Sequence, residues 1–113
     1  MIKIYHNNRC RKSREGLAIL EKSGQEFEII NYLENPPSKS ELEDILHRLG
    51  ISPIQLVRKN EKIWKENFKH KDLTDDQIIE IMIQNPKLIE RPIVIKDDRV
   101  VLGRPPEDIL NIL

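Results

Sequence analysis

The sequence predicts an α/β domain in the order β-α-β, helical insert, β-β-α, built on a four-stranded mixed sheet. Three observations lead there. Short runs of β-branched and aromatic residues gather toward the two ends of the chain, the long middle carries apolar residues at helical spacing, and Gly, Pro and Asn residues punctuate the joins. At 113 residues the chain is expected to form one domain, 1–113, with the helical insert at about 38–90.

Ile2, Ile4 and Tyr5 read as a first strand ending near His6 and the Asn7-Asn8 turn. Leu17, Ala18, Ile19 and Leu20 then give a helix one wide apolar face, and Gly24 just beyond supplies its stop. Phe27, Ile29, Ile30 and Tyr32 form a second strand, closed by Asn35-Pro36-Pro37. A strand-helix-strand opening favours a parallel pair with a right-handed crossover. Ser38 with Glu41 reads as a capping box ahead of Leu42, Ile45, Leu46 and Leu49, with Gly50 as the stop. Thr74 with Gln77 repeats that signature before Ile78, Ile79, Met82 and Ile83, and Asn85-Pro86 ends the helix. Between them, Pro53 to Lys71 suggests short helical pieces. Pro92-Ile93-Val94-Ile95, the turn Asp97-Asp98 and Val100-Val101-Leu102-Gly103 read as a β-hairpin. Pro105-Pro106 with Glu107 and Asp108 opens a final helix whose buried face would be Ile109, Leu110, Ile112 and Leu113.

Nineteen basic and nineteen acidic side chains cancel, which argues against a broad nucleic-acid footprint built on excess cations. The hydrophobic fraction is 38%, the charged fraction 34%, and no apolar run is long enough for a membrane span. A single cysteine cannot form an internal disulfide, so a cytoplasmic protein is expected.

That cysteine lies in the run Arg9-Cys10-Arg11-Lys12-Ser13-Arg14, which holds four cations and no acid and falls where strand gives way to helix. An unperturbed thiol with a pKa of about 8.5 is only ~3% ionised at pH 7, whereas thiols at helix N-termini or beside cations fall well below that range. A helix terminus alone supplies roughly 0.3–1 kcal/mol and one pKa unit corresponds to about 1.4 kcal/mol, so most of any shift must come from cations. Charged rather than apolar neighbours favour a reactive thiolate over a buried hydrophobe. His6 stands four residues earlier and either tunes the thiolate or ends the strand; Ser13 either bonds the sulfur or caps the helix. His47 and His70 are scattered, and one Cys with one His falls short of a zinc ligand set, so no metal is expected.

The element order is that of a thioredoxin-like fold with helices inserted in the middle, and the chain resembles the arsenate reductase family of that fold, the branch that uses glutathione and glutaredoxin. Four landmarks carry the resemblance: His6-Asn7-Asn8-Arg9-Cys10 followed by Ser13-Arg14; Arg58 within Leu56-Val57-Arg58-Lys59-Asn60; Arg91-Pro92-Ile93; and Gly103-Arg104-Pro105. The resemblance implies that Cys10 is the nucleophile, that Arg58, Arg91 and Arg104 bind the oxyanion, and that Pro92 is the cis proline beside the active cysteine, with His6, Ser13 and Arg14 in support. Guanidinium groups suit that task because they are planar, permanently charged and can bond two oxygens at once. Asn8 stands where the family pattern has proline, and Arg11 and Lys12 take positions often held by small residues.

The activity so implied is reduction of arsenate to arsenite. No second cysteine can resolve the adduct, so glutathione is expected as co-substrate and glutaredoxin as the protein that releases Cys10; no bound cofactor and no membrane or nucleic-acid partner is expected. Two alternatives share the fold: an Spx-type regulator binding RNA polymerase, whose switch uses Cys-x-x-Cys where this chain has Ser13, and a monothiol oxidoreductase acting on another substrate.

Overall fold

The computed structural model describes all residues, 1–113. They form two compact units, 1–35 with 91–113, and 36–90.

The first unit holds the sheet. β1 (Ile2–Tyr5) lies between β2 (Phe27–Ile30), parallel to it, and β3 (Ile93–Lys96), antiparallel to it; β4 (Arg99–Leu102) completes the order β2-β1-β3-β4. This is the mixed four-stranded sheet that the sequence predicts. Tyr5 pairs with Ile93, so the chain leaving β1 at His6 runs beside the chain entering β3 at Arg91 and Pro92. The β3–β4 turn is Asp97-Asp98, with Asp97 at φ 57°, a conformation Asp tolerates better than most side chains.

α1 (Arg11–Ser23) crosses from β1 to β2 and ends on Gly24 at φ 73°, where a side chain would be strained. Its Leu20 packs with Ile2 and Ile4 of β1, Val94 of β3, and Ile109 and Ile112 from the C-terminal segment. Side chains on a strand alternate faces, which puts Ile2 and Ile4 on one side; burying each aliphatic group there contributes about 1.5–3 kcal/mol before entropy.

The C-terminal segment is helical but differs in kind from the expectation: Pro106–Ile112 is a 3-10 helix. With three residues per turn, Pro106, Ile109 and Ile112 share one face and are buried, while Leu110, placed by sequence in the buried face, turns outward at 59% exposure. Ile109 also borders a crowded point around Pro92. The Gly103 N–H donates to the Pro92 carbonyl at 2.8 Å, and a Cβ on Gly103 would lie 2.8 Å from Pro92 Cγ and 3.0 Å from Ile109 Cδ1. A Cβ on Gly16 of α1 would likewise lie 2.8 Å from Pro92 Cγ. The proline ring is therefore lodged between two residues that have no side chain.

The second unit is helical. α2 (Lys39–Leu49) and α4 (Asp75–Gln84) both start on the predicted capping boxes: Ser38 Oγ accepts from the Glu41 N–H at 3.1 Å, Thr74 Oγ1 from the Gln77 N–H at 3.2 Å, and each partner side chain bonds back. α3 (Lys62–Asn67) and 3-10 turns at Pro53–Leu56 and Pro86–Leu88 account for the irregular stretches. Val57 and Ile89 form an antiparallel bridge, with the Arg58 N–H on the Leu88 carbonyl at 2.7 Å and the Glu90 N–H on the Leu56 carbonyl at 2.9 Å.

The 3-10 register has a direct test. Ile109→Ala is expected to cost about 2–5 kcal/mol, and Leu110→Ala less than about 0.5 kcal/mol. Urea unfolding midpoints of the two variants check this; equal losses would contradict the register.

Candidate active site

Cys10 is the N-cap of α1 and partly exposed, with extended backbone at φ −94° and ψ 123°. The loop before it is fixed by its own backbone. The Cys10 N–H donates to the Asn7 carbonyl at 3.0 Å, the Arg9 N–H to Asn7 Oδ1 at 3.0 Å, and the Arg14 N–H to the Cys10 carbonyl at 3.0 Å. Asn8 sits in this turn without disturbing it, since Arg14 Nη1 donates to its carbonyl at 3.0 Å.

Burial pushes the Cys10 thiol up, but the Ser13 N–H, the hydrogen bond and charge of Arg91, and the Lys12 N–H together outweigh it and hold the thiol below its ordinary range. The sulfur makes no short capping bond, yet occupies the place where a capping oxygen would face the N–H groups of the first turn. Negative charge there is favoured by both the free donors and the helix dipole.

The cation acting on the sulfur differs from those next to it in sequence. Arg91, only 7% exposed, comes from the start of β3, eighty-one residues on, and the β1–β3 pairing delivers it. In the local run, Arg11 pairs with Glu15 at 3.0 Å and Arg14 bonds the Asn8 carbonyl. Arg104 joins Arg91 by donating from Nη1 to the Arg91 carbonyl at 3.0 Å. The Arg91-Pro92 bond is cis, as the resemblance implies, and so is Arg104-Pro105, which the sequence reading did not anticipate.

Ser13 takes neither role that the sequence left open to its hydroxyl. Fully buried, it bonds His6 Nδ1 at 2.6 Å and accepts the Asn7 N–H at 3.0 Å, while its backbone N–H serves the sulfur. His6 does continue β1, with its N–H on the Ile30 carbonyl at 3.0 Å, and its ring is tied to Ser13. Burial lowers the His6 pKa, the hydrogen bond with Ser13 raises it and the charge of Arg14 lowers it; the net direction is down, so the imidazole is neutral at pH 7. Arg58 belongs to the helical unit, where its Nε lies 3.7 Å from Glu61 and its Nη1 3.9 Å from Glu90. These two carboxylates were not singled out from sequence; the i, i+3 spacing of Arg58 and Glu61 was the available signal.

Together, a thioredoxin-like sheet, a helix-capping cysteine and a buried arginine on its sulfur define a thiol enzyme fold with a cationic cysteine site. The ArsC family profile matches residues 5–112, and the chain belongs to that family. YfgD, an uncharacterized protein of Escherichia coli K12, is 45% identical over 99% of this chain and 96% of its own length. An arsenate reductase of Acidiphilium multivorum is 46% identical over 99% of this chain and 80% of its own. The structure of an arsenate reductase from Vibrio cholerae, 44% identical, superposes with a TM-score of 0.92 over 99% of this chain and 97% of that one.

Two outcomes are expected. Arg91→Gln should raise the pH midpoint of Cys10 alkylation by iodoacetamide toward that of an ordinary thiol, and an unmoved midpoint would remove Arg91 from the site. For His6 the folded state disfavours the proton, so the unfolded chain takes it up first and stability falls as pH drops below about 6.5. His6→Asn should flatten that fall in urea titrations between pH 7.5 and 5.

Proposed function

We propose that the protein is a thiol-dependent arsenate reductase, with Cys10 as nucleophile and glutathione and glutaredoxin supplying electrons. The observation that supports this most is the placing of Arg91 on a thiolate that caps a helix, with Arg104 fixed to the Arg91 backbone. Bound tetrahedral oxyanion meets guanidinium donors suited to two oxygens at a time, next to the attacking sulfur. Arg58 is the third arginine of the proposed set, on the strength of its motif. His6, Ser13, Arg14 and Pro92 position the loop and β3 rather than touch substrate.

The Cys10 thiolate displaces one oxygen of arsenate, which leaves as water, and forms a sulfur–arsenic(V) bond. A glutathione thiol then joins Cys10 in a mixed disulfide; the two sulfurs give up two electrons and arsenic leaves as arsenite. A glutaredoxin thiolate takes the glutathione from Cys10 by exchange and restores it. The chain acts as a single domain in this reading, in the cytoplasm; no helix is long and apolar enough to cross a membrane. A switch of the Cys-x-x-Cys type has no second thiol to use, because Ser13 holds that position.

Purified protein with glutathione, glutaredoxin and arsenate should release one arsenite for each glutathione disulfide formed. Cys10→Ser should abolish turnover, and Arg91→Ala, Arg104→Ala and Arg58→Ala should each lower kcat/KM by about tenfold or more, equivalent to the 1.4 kcal/mol or so that a charge-assisted hydrogen bond supplies. Turnover that survives Cys10→Ser overturns the proposal.

A further inference from the structure

Arg58, which the proposed function takes from its motif alone, already lies against two acids from separate parts of the chain. The backbone brings them there. Across the Val57–Ile89 bridge the Arg58 N–H bonds the Leu88 carbonyl and the Glu90 N–H the Leu56 carbonyl, which sets residues 58 and 90 side by side. The Glu61 N–H donates to the Arg58 carbonyl at 3.2 Å, so a short turn returns Glu61 to the same guanidinium. Neither ion pair is a hydrogen bond. Glu61 Oε1 stands 3.7 Å from Nε and Glu90 Oε2 3.9 Å from Nη1, beyond the roughly 2.7–3.2 Å of N–H···O bonds. Nε itself is buried and makes no hydrogen bond. The three side chains are only 18% to 27% exposed, so water and salt screen their charges in part.

We infer that Glu61 and Glu90 are specificity-determining counter-charges, which hold down the affinity of Arg58 for free dianions. The inference rests on the reading of Arg58 as an oxyanion ligand. An ion pair of this length on partly exposed side chains adds little rigidity, whereas each carboxylate repels an anion seated on Arg58 in proportion to that anion's charge. Removing a carboxylate therefore strengthens anion binding more than any loosening of Arg58 weakens it. The gain is larger for a dianion than for a monoanion. Sulfate and phosphate share the tetrahedral shape of arsenate, and a guanidinium without counter-charges would stay occupied by whichever of them is in excess. Weaker binding of the free anion does not slow the chemical step at saturation, because only interactions gained in the transition state raise kcat.

The test follows protection of Cys10 from iodoacetamide by sulfate, a tetrahedral dianion, and by perchlorate, a tetrahedral monoanion, at a constant ionic strength of about 0.1 M. Glu61→Gln and Glu90→Gln keep the side-chain shape and remove the charge. Each should lower the half-protecting sulfate concentration about three- to tenfold and that of perchlorate only about two- to threefold, since the repulsion scales with charge. Arg58→Gln should raise the sulfate value. Sulfate protection left at the native value by both Gln variants, weaker protection in either, or equal shifts for the two anions would make these acids mere supports of Arg58 and overturn the inference. The reading of Arg58 fails separately: if Arg58→Gln leaves sulfate protection unchanged, Arg58 is no anion ligand and the inference falls with it.

Discussion

A sulfur that is partly withdrawn from water can carry negative charge only if something replaces the lost solvation, and the sheet unit is arranged to provide it. Burial alone would raise the thiol. The first turn of α1 supplies two N–H groups, but a helix terminus is worth roughly 0.3–1 kcal/mol, under one pKa unit. After the Ser13 N–H, Arg91 adds both a hydrogen bond and a charge, and it is effective because it is itself buried: a fixed guanidinium in a poorly solvated place acts on its neighbour far more strongly than one free in water.

Placing that guanidinium is a matter of topology. β1 and β3 are neighbours in the sheet although almost ninety residues separate them, and their antiparallel register sets Arg91-Pro92 beside the exit of β1. Pro92 is then held from two sides by residues without side chains, Gly16 and Gly103, and Gly103 also bonds its carbonyl. Gly103 leads directly into Arg104, whose guanidinium returns to the Arg91 carbonyl. The crowding around the proline ring and the placing of both arginines are thus one arrangement. It explains why the two Arg-Pro pairs, thirteen residues apart, sit together in space.

Local signals in the chain were legible and distant ones were not. Ser38 with Glu41, Thr74 with Gln77, Gly24, Gly50 and Asp97-Asp98 each encode a cap or turn within four residues, and each lies where expected. The C-terminal segment is helical as its prolines and acids suggest, yet its 3-10 winding depends on packing Ile109 and Ile112 against β1 and α1, which no local pattern records. The site shows the same division. Cys10 and its helix start could be read directly, whereas the stabilising charge was assigned to the cations beside it in sequence, and Arg91, named through the resemblance as an oxyanion ligand, acts on the sulfur through a contact that depends on strand pairing. Arg58 was found only through its motif, and the carboxylates flanking it went unnoticed.

Position 13 ties these threads together. In a Cys-x-x-Cys protein that position holds a resolving thiol, one helical turn from the first. Here a fully buried hydroxyl fills it, accepting the Asn7 N–H and bonding His6 Nδ1, while the backbone N–H of the same residue faces the sulfur. Ser13 thereby fixes the loop, the histidine and the helix start at once, and holding a neutral imidazole in that buried contact keeps a further positive charge out of the site. With its hydroxyl committed in this way the position has no capacity for exchange chemistry. The sulfur itself stays partly exposed, in reach of a second thiol that the chain does not contain.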